Sequence, residues 1–204
     1  MRIVPDTTQA EGPVYPAAVA GYRVFRVSAM PRLHSVHTEH VWRPGVNHAE
    51  CLADDFYPLP DADQCSCHQA PAIECSCGLQ AFYHLQQAQD YLDTQLNPAA
   101  GAYVIGLVAG AGKVRMHQIG WRAQQAQVLA LLAGTDTEKN SIHLHQLKAE
   151  YRIRICTEAD ELYRLEADQG LLSADRAAQI GAPSFRDAWV GVLELQQKMA
   201  DHGY

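Results

Sequence analysis

Five of the six cysteines in this chain of 204 residues fall within 27 consecutive positions, at Cys51, Cys65, Cys67, Cys75 and Cys77. Residues 65–77 read CSCHQAPAIECSC, so two identical tripeptides flank a histidine and a proline. A stretch dominated by Cys, Asp and Pro forms no regular element by itself and needs a metal or disulfides to hold it. In a reducing compartment such a cluster indicates a metal site or catalysis, and in a secreted chain it indicates disulfides. We expect a metal, with disulfides or incidental thiols as the alternatives.

The expected compartment is the cytoplasm. The start of the chain has one early arginine, but acids and prolines interrupt any apolar stretch there, which is unlike a secretory signal. No window approaches the roughly 18 uninterrupted apolar residues of a membrane-spanning helix, so the sequence predicts no contact with a membrane.

The net charge of −7 is unevenly distributed along the chain. Residues 51–100 hold seven acidic residues and no Lys or Arg, whereas residues 101–134 hold Lys113, Arg115 and Arg122 and no acid. An acidic field around a group of thiols favours a divalent cation and disfavours a phosphate backbone. Nucleic acid is therefore a disfavoured partner for the cysteine-rich part of the chain.

Hydrophobic periodicity predicts an α+β fold with a small antiparallel sheet in the N-terminal half. The alternation in GYRVFRV, 21–27, predicts a strand, and YRIRI, 151–155, predicts another. Residues 102–120 are expected to form two short strands joined by a turn at AGAG, 109–112. Helical spacing predicts helices over 79–96 (with Phe82 on its apolar face), over 121–134, and in most of the chain after 135. Strands are thus expected before residue 120 and helices after it.

These elements suggest three regions. An irregular arm, 1–20, precedes a zinc-binding α+β core, 21–134, and a mostly helical C-terminal portion, 135–204, packs on that core. A capping box at Thr157 and Asp160 is expected to open one of its helices. Phe185 and Trp189 are expected to anchor the C-terminal portion to the core.

Zinc thiolate sites need four ligands in tetrahedral geometry. Cys75 and Cys77 form the best-supported pair, because Gly78 directly after them supplies the backbone freedom for a sharp turn. The other two ligands have three candidate sources: Cys65 with Cys67, one of these with His68, or His68 with the distant Cys51. Spacing alone slightly favours the first. The third closes a longer loop and removes more disorder, which is the usual role of a structural zinc.

The string HQAPAIECSCGLQA, 68–81, resembles the motif H-x-A-P-x-x-x-C-x-C-G-[IL]-x-A of a family of actinobacterial and actinobacteriophage proteins without assigned activity. The flanking fragments follow in the family's order: GYRVFRV, Trp42 and A-x-C at 49–51 upstream, then G-x-V at 106–108 and G-W-R-A at 120–123 downstream. The similarity covers roughly residues 21–133. It implies a zinc site of Cys51, His68, Cys75 and Cys77, and it has no counterpart for Cys65 or Cys67, which remain alternates.

A structural zinc with four protein ligands leaves no open position for catalysis. Neither a nucleophile elbow nor an H-E-x-x-H motif is present. The leading hypothesis is therefore a non-enzymatic, zinc-stabilised binding or regulatory module that acts on a macromolecule, with a protein as the expected partner. One alternative is a nucleic-acid-binding zinc protein that uses an exposed basic hairpin of Lys113, Arg115 and Arg122, with Trp121 available for stacking. The other is a zinc-dependent hydrolytic enzyme with an open ligand position.

Overall fold

A computed structural model of the protein describes residues 17–38, 40–51, 69–72, 75–96, 101–133, 137–173 and 176–177, without the side chains of 137–142. Eight strands and three helices lie in these residues, which confirms the α+β class. The strands are β1 (Val19–Val27), β2 (Leu33–His34), β3 (Val41–Trp42), β4 (Val46–His48), β5 (Leu79–Phe82), β6 (Ala102–Met116), β7 (Gly120–Leu132) and β8 (Arg154–Cys156). The helices are α1 (Leu85–Gln95), α2 (Thr137–Tyr151) and α3 (Ala159–Asp168).

The centre of the sheet is an antiparallel ribbon of β6 and β7, the two longest strands of the described chain. β1 pairs along the free edge of β6 from Val19 to Val27. The other edge of β7 pairs in turn with β5, β4 and β8. β5 also pairs with β1, at Tyr22 and Phe82, so β1, β6, β7 and β5 form a closed ring of hydrogen-bonded strands.

Trp121 lies at the centre of this ring and is fully buried. Its indole Nε1 donates a hydrogen bond to the Ala20 carbonyl at 2.8 Å. The ring has room for the indole because two facing positions are glycines. A Cβ placed on Gly21 or on Gly110 would lie 2.6 Å from a Trp121 atom.

Helices cover both faces of the sheet. On one face, α2 contributes Leu147 and Tyr151 to a cluster built around Trp121 and Trp42. The Tyr151 hydroxyl donates to the Trp42 carbonyl at 2.5 Å and accepts from the Leu33 amide at 3.1 Å, which ties α2 to β2 and β3. On the other face, α1 and α3 pack against the second apolar cluster, which includes Tyr22.

The predicted strand at 21–27 is confirmed. Of the strand predicted at 151–155, only Arg154 and Ile155 lie in β8, which pairs with β7 in parallel, and Tyr151 ends α2. The sheet is therefore mixed rather than antiparallel throughout. The prediction of a helix over 121–134 is wrong, because these residues form β7 and hydrogen-bond to strands along both edges. The concentration of strands before residue 120 is wrong for the same reason.

The predicted turn at AGAG is also wrong, since β6 runs through it without a break. The pairing of β6 with β7 shifts register between Ala111 and Val114, where Gly112 has a φ of +72°. The glycines therefore allow an irregularity inside a strand instead of a hairpin. Phe82 belongs to β5, and the helix begins only at Leu85.

In the C-terminal portion, the α3 capping box lies at Glu158 and Glu161, one residue beyond the predicted pair. β1 begins at Val19, inside the predicted arm. The expected anchors Phe185 and Trp189 lie outside the described residues, as does most of the predicted arm. No helix in the described part of the chain has both the length and the apolar character to cross a membrane.

Candidate metal centre

The edge of β7 brings two distant parts of the chain together. β4 pairs with Gln125–Gln127 and β5 pairs with Gly120–Ala123, so the two strands lie end to end along the same edge. The Ala49 amide still donates to the Gln124 carbonyl, at 2.8 Å, where the chain leaves β4. The segment between β4 and β5, named the β4–β5 loop, therefore starts and ends opposite Gln124. Cys51 stands at one end of this loop and Cys77 at the other.

Three sulfurs meet at the base of the loop. Sγ of Cys51 lies 3.5 Å from Sγ of Cys75, and the Sγ atoms of Cys51, Cys75 and Cys77 all lie within 4.8 Å of one another. The separation of the Cys51 and Cys75 sulfurs is well beyond the ~2.05 Å of a disulfide. Zinc–sulfur bonds of about 2.3 Å in a tetrahedron separate two sulfurs by about 3.8 Å. An approach of about 1 Å or less would thus bring all three sulfurs onto one ion.

Arg122 holds the loop that carries Cys75 and Cys77. Its side chain extends from β7 and is fully buried. Nη1 donates to the carbonyls of Cys75 and of Cys77, the latter at 3.0 Å, and Nη2 donates to the Ala72 carbonyl at 3.3 Å. Nε donates to Nε2 of His117 at 2.7 Å. One guanidinium thus fixes the carbonyls on both sides of Ser76 and sets the positions of the two thiols.

Arg115 supports the same loop from the neighbouring strand. It lies directly opposite Arg122 in the pairing of β6 with β7, and its Nε donates to the Pro71 carbonyl at 3.2 Å. Gly78 completes the packing, because its φ of +121° suits glycine and an added Cβ would lie 3.1 Å from the Cβ atoms of Arg122 and Pro71. The prediction that Gly78 provides backbone freedom next to the cysteines agrees with this geometry.

The electrostatics of the three thiols favour a bound cation. Burial raises the pKa of the Cys77 thiol to about 12; a hydrogen bond to the Ala72 backbone opposes part of this rise, and the nearby sulfurs of Cys75 and Cys51 add to it. Burial also lowers the pKa of Arg122, while the thiols of Cys77 and Cys75 raise it. Thiolates crowded in this space repel one another, so deprotonation requires a positive charge among the sulfurs, which a metal ion supplies.

The basic hairpin expected on the surface is wrong for three of its four residues. Trp121 and Arg122 are fully buried and Arg115 is 4% exposed, while Lys113 is partly exposed. The cause is the ring of strands, which turns this part of β7 inward. These side chains are therefore not placed for stacking on bases or for contact with a phosphate backbone.

Of the predicted ligands, Cys51, Cys75 and Cys77 come together, while His68, Cys65 and Cys67 lie outside the described residues. The role of Arg122 beside the thiols was not foreseen, because its partners stand 45 to 50 positions earlier in the chain. Only the pairing of β5 with β7, at Leu79 and Ala123, brings them together.

Comparison of the chain with protein families, with curated proteins and with solved structures found no match.

Proposed function

We propose that this protein is a non-enzymatic binding module stabilised by one structural zinc ion, with Cys51, His68, Cys75 and Cys77 as the ligands. The observation that carries the proposal is the meeting of three thiols from two ends of a long loop. Thiolates are soft ligands that select zinc over magnesium or calcium among the common divalent cations.

A fourth ligand is needed to close a tetrahedral site. His68 is our choice because it stands in the same loop, seven residues before Cys75, and because the resembled motif has a histidine at this position. Cys65 and Cys67 are the alternates from the same stretch. A ligand from within the loop would fasten its middle as well as its base, and closing loops of this length is how a structural zinc removes disorder.

The surroundings of the thiols support a structural rather than a hydrolytic role. Hydrolysis on zinc requires a bound water and a general base close to it. Nε2 of His117, the imidazole nitrogen nearest to Arg122, already accepts a hydrogen bond from the guanidinium. Its lone pair is therefore engaged, and the guanidinium that contacts the ligand loop is too weak a base to accept a proton at neutral pH.

The partner is a macromolecule, and we propose a protein. The segment 52–74 between Cys51 and Cys75 contains five acidic residues and no Lys or Arg: Asp54, Asp55, Asp61, Asp63 and Glu74. Loops held at their base by a rigid scaffold are the usual carriers of binding residues. The acidic composition favours a basic protein surface and disfavours nucleic acid.

Metal analysis tests the zinc centre. Protein purified without added metal should contain about one zinc per chain, and the Cys51→Ser variant should contain almost none. The matched control is Cys156→Ser, which changes a buried cysteine of β8 and should keep its zinc. A folded wild-type protein without metal would refute the centre.

The fourth ligand is tested by His68→Asn against Cys65→Ser and Cys67→Ser. We expect zinc loss only for His68→Asn, with His145→Asn, a change at an exposed position of α2, as its control. If a cysteine variant loses zinc while His68→Asn retains it, that cysteine is the fourth ligand and His68 is not.

The partner class is tested by binding. Retention on heparin or mixed-sequence DNA that weakens with salt would favour the nucleic-acid alternative. A second test captures proteins from a host lysate with the wild-type chain and with a variant in which four acidic residues are changed to Asn: Asp54, Asp55, Asp61 and Asp63. A protein that binds the wild type and not the variant would support the proposal. Substrate turnover without such a partner would contradict it.

A further inference from the structure

A second polar cluster lies on the side of β1 that faces away from β6. There β1 pairs with β2 at Arg26 and Val27 and with β5 at Tyr22, and Arg23 stands between these two pairings. Its guanidinium bridges them, since Nη1 donates to the Gln80 carbonyl of β5 and Nη2 donates to Oγ of Ser35, just after β2, at 2.9 Å. We call the surrounding residues the Arg23 cluster: Arg23, Ser35, His37, His40, Trp42 and Tyr91.

The charge of Arg23 is enclosed by aromatic rings. Its central carbon lies 5.0 Å from the centre of the Trp42 ring and 5.9 Å from that of Phe25. Nε is buried without a hydrogen-bond partner in the described structure. Burial lowers the pKa of the guanidinium to about 10, and Tyr91 is the ionisable neighbour that opposes this change. Arg23 therefore remains charged at neutral pH, and no carboxylate among the described residues pairs with it.

Two imidazoles lie within electrostatic range of this guanidinium. Burial lowers the pKa of both His37 and His40, and the charge of Arg23 adds to the lowering of each. The ring of His40 stands edge-on to Trp42 at 5.9 Å, and its Nε2 is the second buried nitrogen of the cluster without a partner. His37 is exposed and shares a hydrogen bond with the Tyr91 hydroxyl, so the cluster reaches solvent.

We propose that Arg23 and His40 form a binding site for a small oxyanion, a phosphate or a carboxylate. A buried guanidinium without an acidic partner is a costly arrangement, and an anion would offset that cost. Guanidinium matches the geometry of these two anions better than other side chains do. Nε of Arg23 can donate to the anion, as can Nε2 of His40 in the tautomer that carries its proton there, and neither nitrogen has a hydrogen-bond partner among the described residues. The Ser35 hydroxyl lies beside the same guanidinium.

The other charged groups that act on His40 are Glu50 and Arg43, and they have opposite signs. Their effects on an incoming anion oppose each other, so the positive charge of Arg23 dominates. This site shares no residue with the metal centre.

The test is a titration of the zinc-loaded protein with inorganic phosphate and, separately, with acetate, at ionic strength held constant with chloride. The observable is the nuclear magnetic resonance signal of the Arg23 Nε–H group, assigned through its loss in Arg23→Lys. We expect a saturable shift of this signal and of the His40 ring signals. Saturation by phosphate alone or by acetate alone would identify the anion.

Variants give the second readout. Arg23→Lys and His40→Gln should each weaken the binding measured at the remaining signals by about tenfold, the effect of roughly 1.4 kcal/mol. Arg32→Lys, at an exposed position one residue before β2, should leave binding unchanged. An Arg23 signal that stays fixed, shifts linearly without saturation, or moves equally in response to chloride would overturn the proposal. So would equal binding by the wild type and Arg23→Lys.

Discussion

Replacement of Arg122 by methionine tests the arrangement of the metal centre most directly. Methionine fills a similar volume but has no donor, so the carbonyls of Cys75, Cys77 and Ala72 lose their charged partner inside the protein. Each buried acceptor left without a donor costs about 1–3 kcal/mol. Three such losses give a destabilisation of about 3 kcal/mol at the lower limit, a large fraction of the 5–15 kcal/mol that is typical of a folded domain.

The loss is expected to appear in two measurements. Urea unfolding of the zinc-loaded protein should show an unfolding free energy lower by about 3 kcal/mol or more. Competition with a chromophoric chelator should show zinc affinity weakened by at least about tenfold, because a loop that is not held must be ordered at the expense of zinc binding. Arg122→Lys should lie in between, since an ammonium keeps the charge but does not reproduce the planar arrangement of donors.

The matched control is Arg154→Met, which makes the same change at an exposed position of β8, the strand that pairs with β7 in parallel. It should alter stability by no more than about 0.5 kcal/mol and leave zinc affinity unchanged. If Arg122→Met is as stable as this control and binds zinc as tightly, Arg122 does not organise the ligand loop. The reasoning from its hydrogen bonds would then be refuted.

Two further predictions concern the core. Gly110→Ala places a Cβ 2.6 Å from the Trp121 ring and should destabilise the protein by about 1–3 kcal/mol in urea unfolding. The control is Gly101→Ala, because the nearest atom to its added Cβ would lie 3.9 Å away. An equal loss of stability in both variants would contradict the packing of the indole. The Tyr22 hydroxyl donates to Glu166 at 2.7 Å, and burial, followed by this bond, raises its pKa above the ordinary value of 10.0. Its contribution to stability is therefore complete below pH 10 and is lost above it, by up to about 1.4 kcal/mol per pH unit. Tyr22→Phe should have a shallower decline of stability above pH 10 than the wild type, and identical slopes would contradict the shift.

The sequence predicts some elements correctly because a local pattern agrees with the final environment. GYRVFRV alternates, and β1 pairs with β6 over its whole length, so the strand was predictable from its own pattern. WRAQQAQVLALL is rich in Ala, Gln and Leu, which favour a helix, yet it forms β7. Hydrogen bonds along both edges of this strand outweigh a preference of about 0.7 kcal/mol or less per residue. No window of the sequence contains those edges, so this error could not have been avoided from local pattern alone.

The candidate site also contains some residues that a local pattern predicts and others that only the fold brings together. Cys75, Cys77 and Gly78 form a local pattern, and their spacing alone suggested a ligand pair. Cys51 was one of several open alternatives until the resemblance to a motif selected it, and it stands beside them because β4 and β5 share an edge of β7. Arg122 appeared to be a surface residue of a hairpin because nothing in a sequence shows which way a strand faces when it closes a ring.

The metal centre is connected to the hydrophobic core through β5. This strand has only four residues, yet it joins β7 to β1 and closes the ring around Trp121. It follows a loop in which Cys51 and Cys75 are separated by 24 positions. Bringing the ends of such a loop together costs about 3 kcal/mol of chain entropy, which a four-residue strand does not readily offset. β6 and β7, by contrast, pair over their whole length. We therefore infer that the long ribbon forms without the metal centre, whereas closure of the ring by β5 depends on Arg122 and on the proposed binding of an ion by the three thiols.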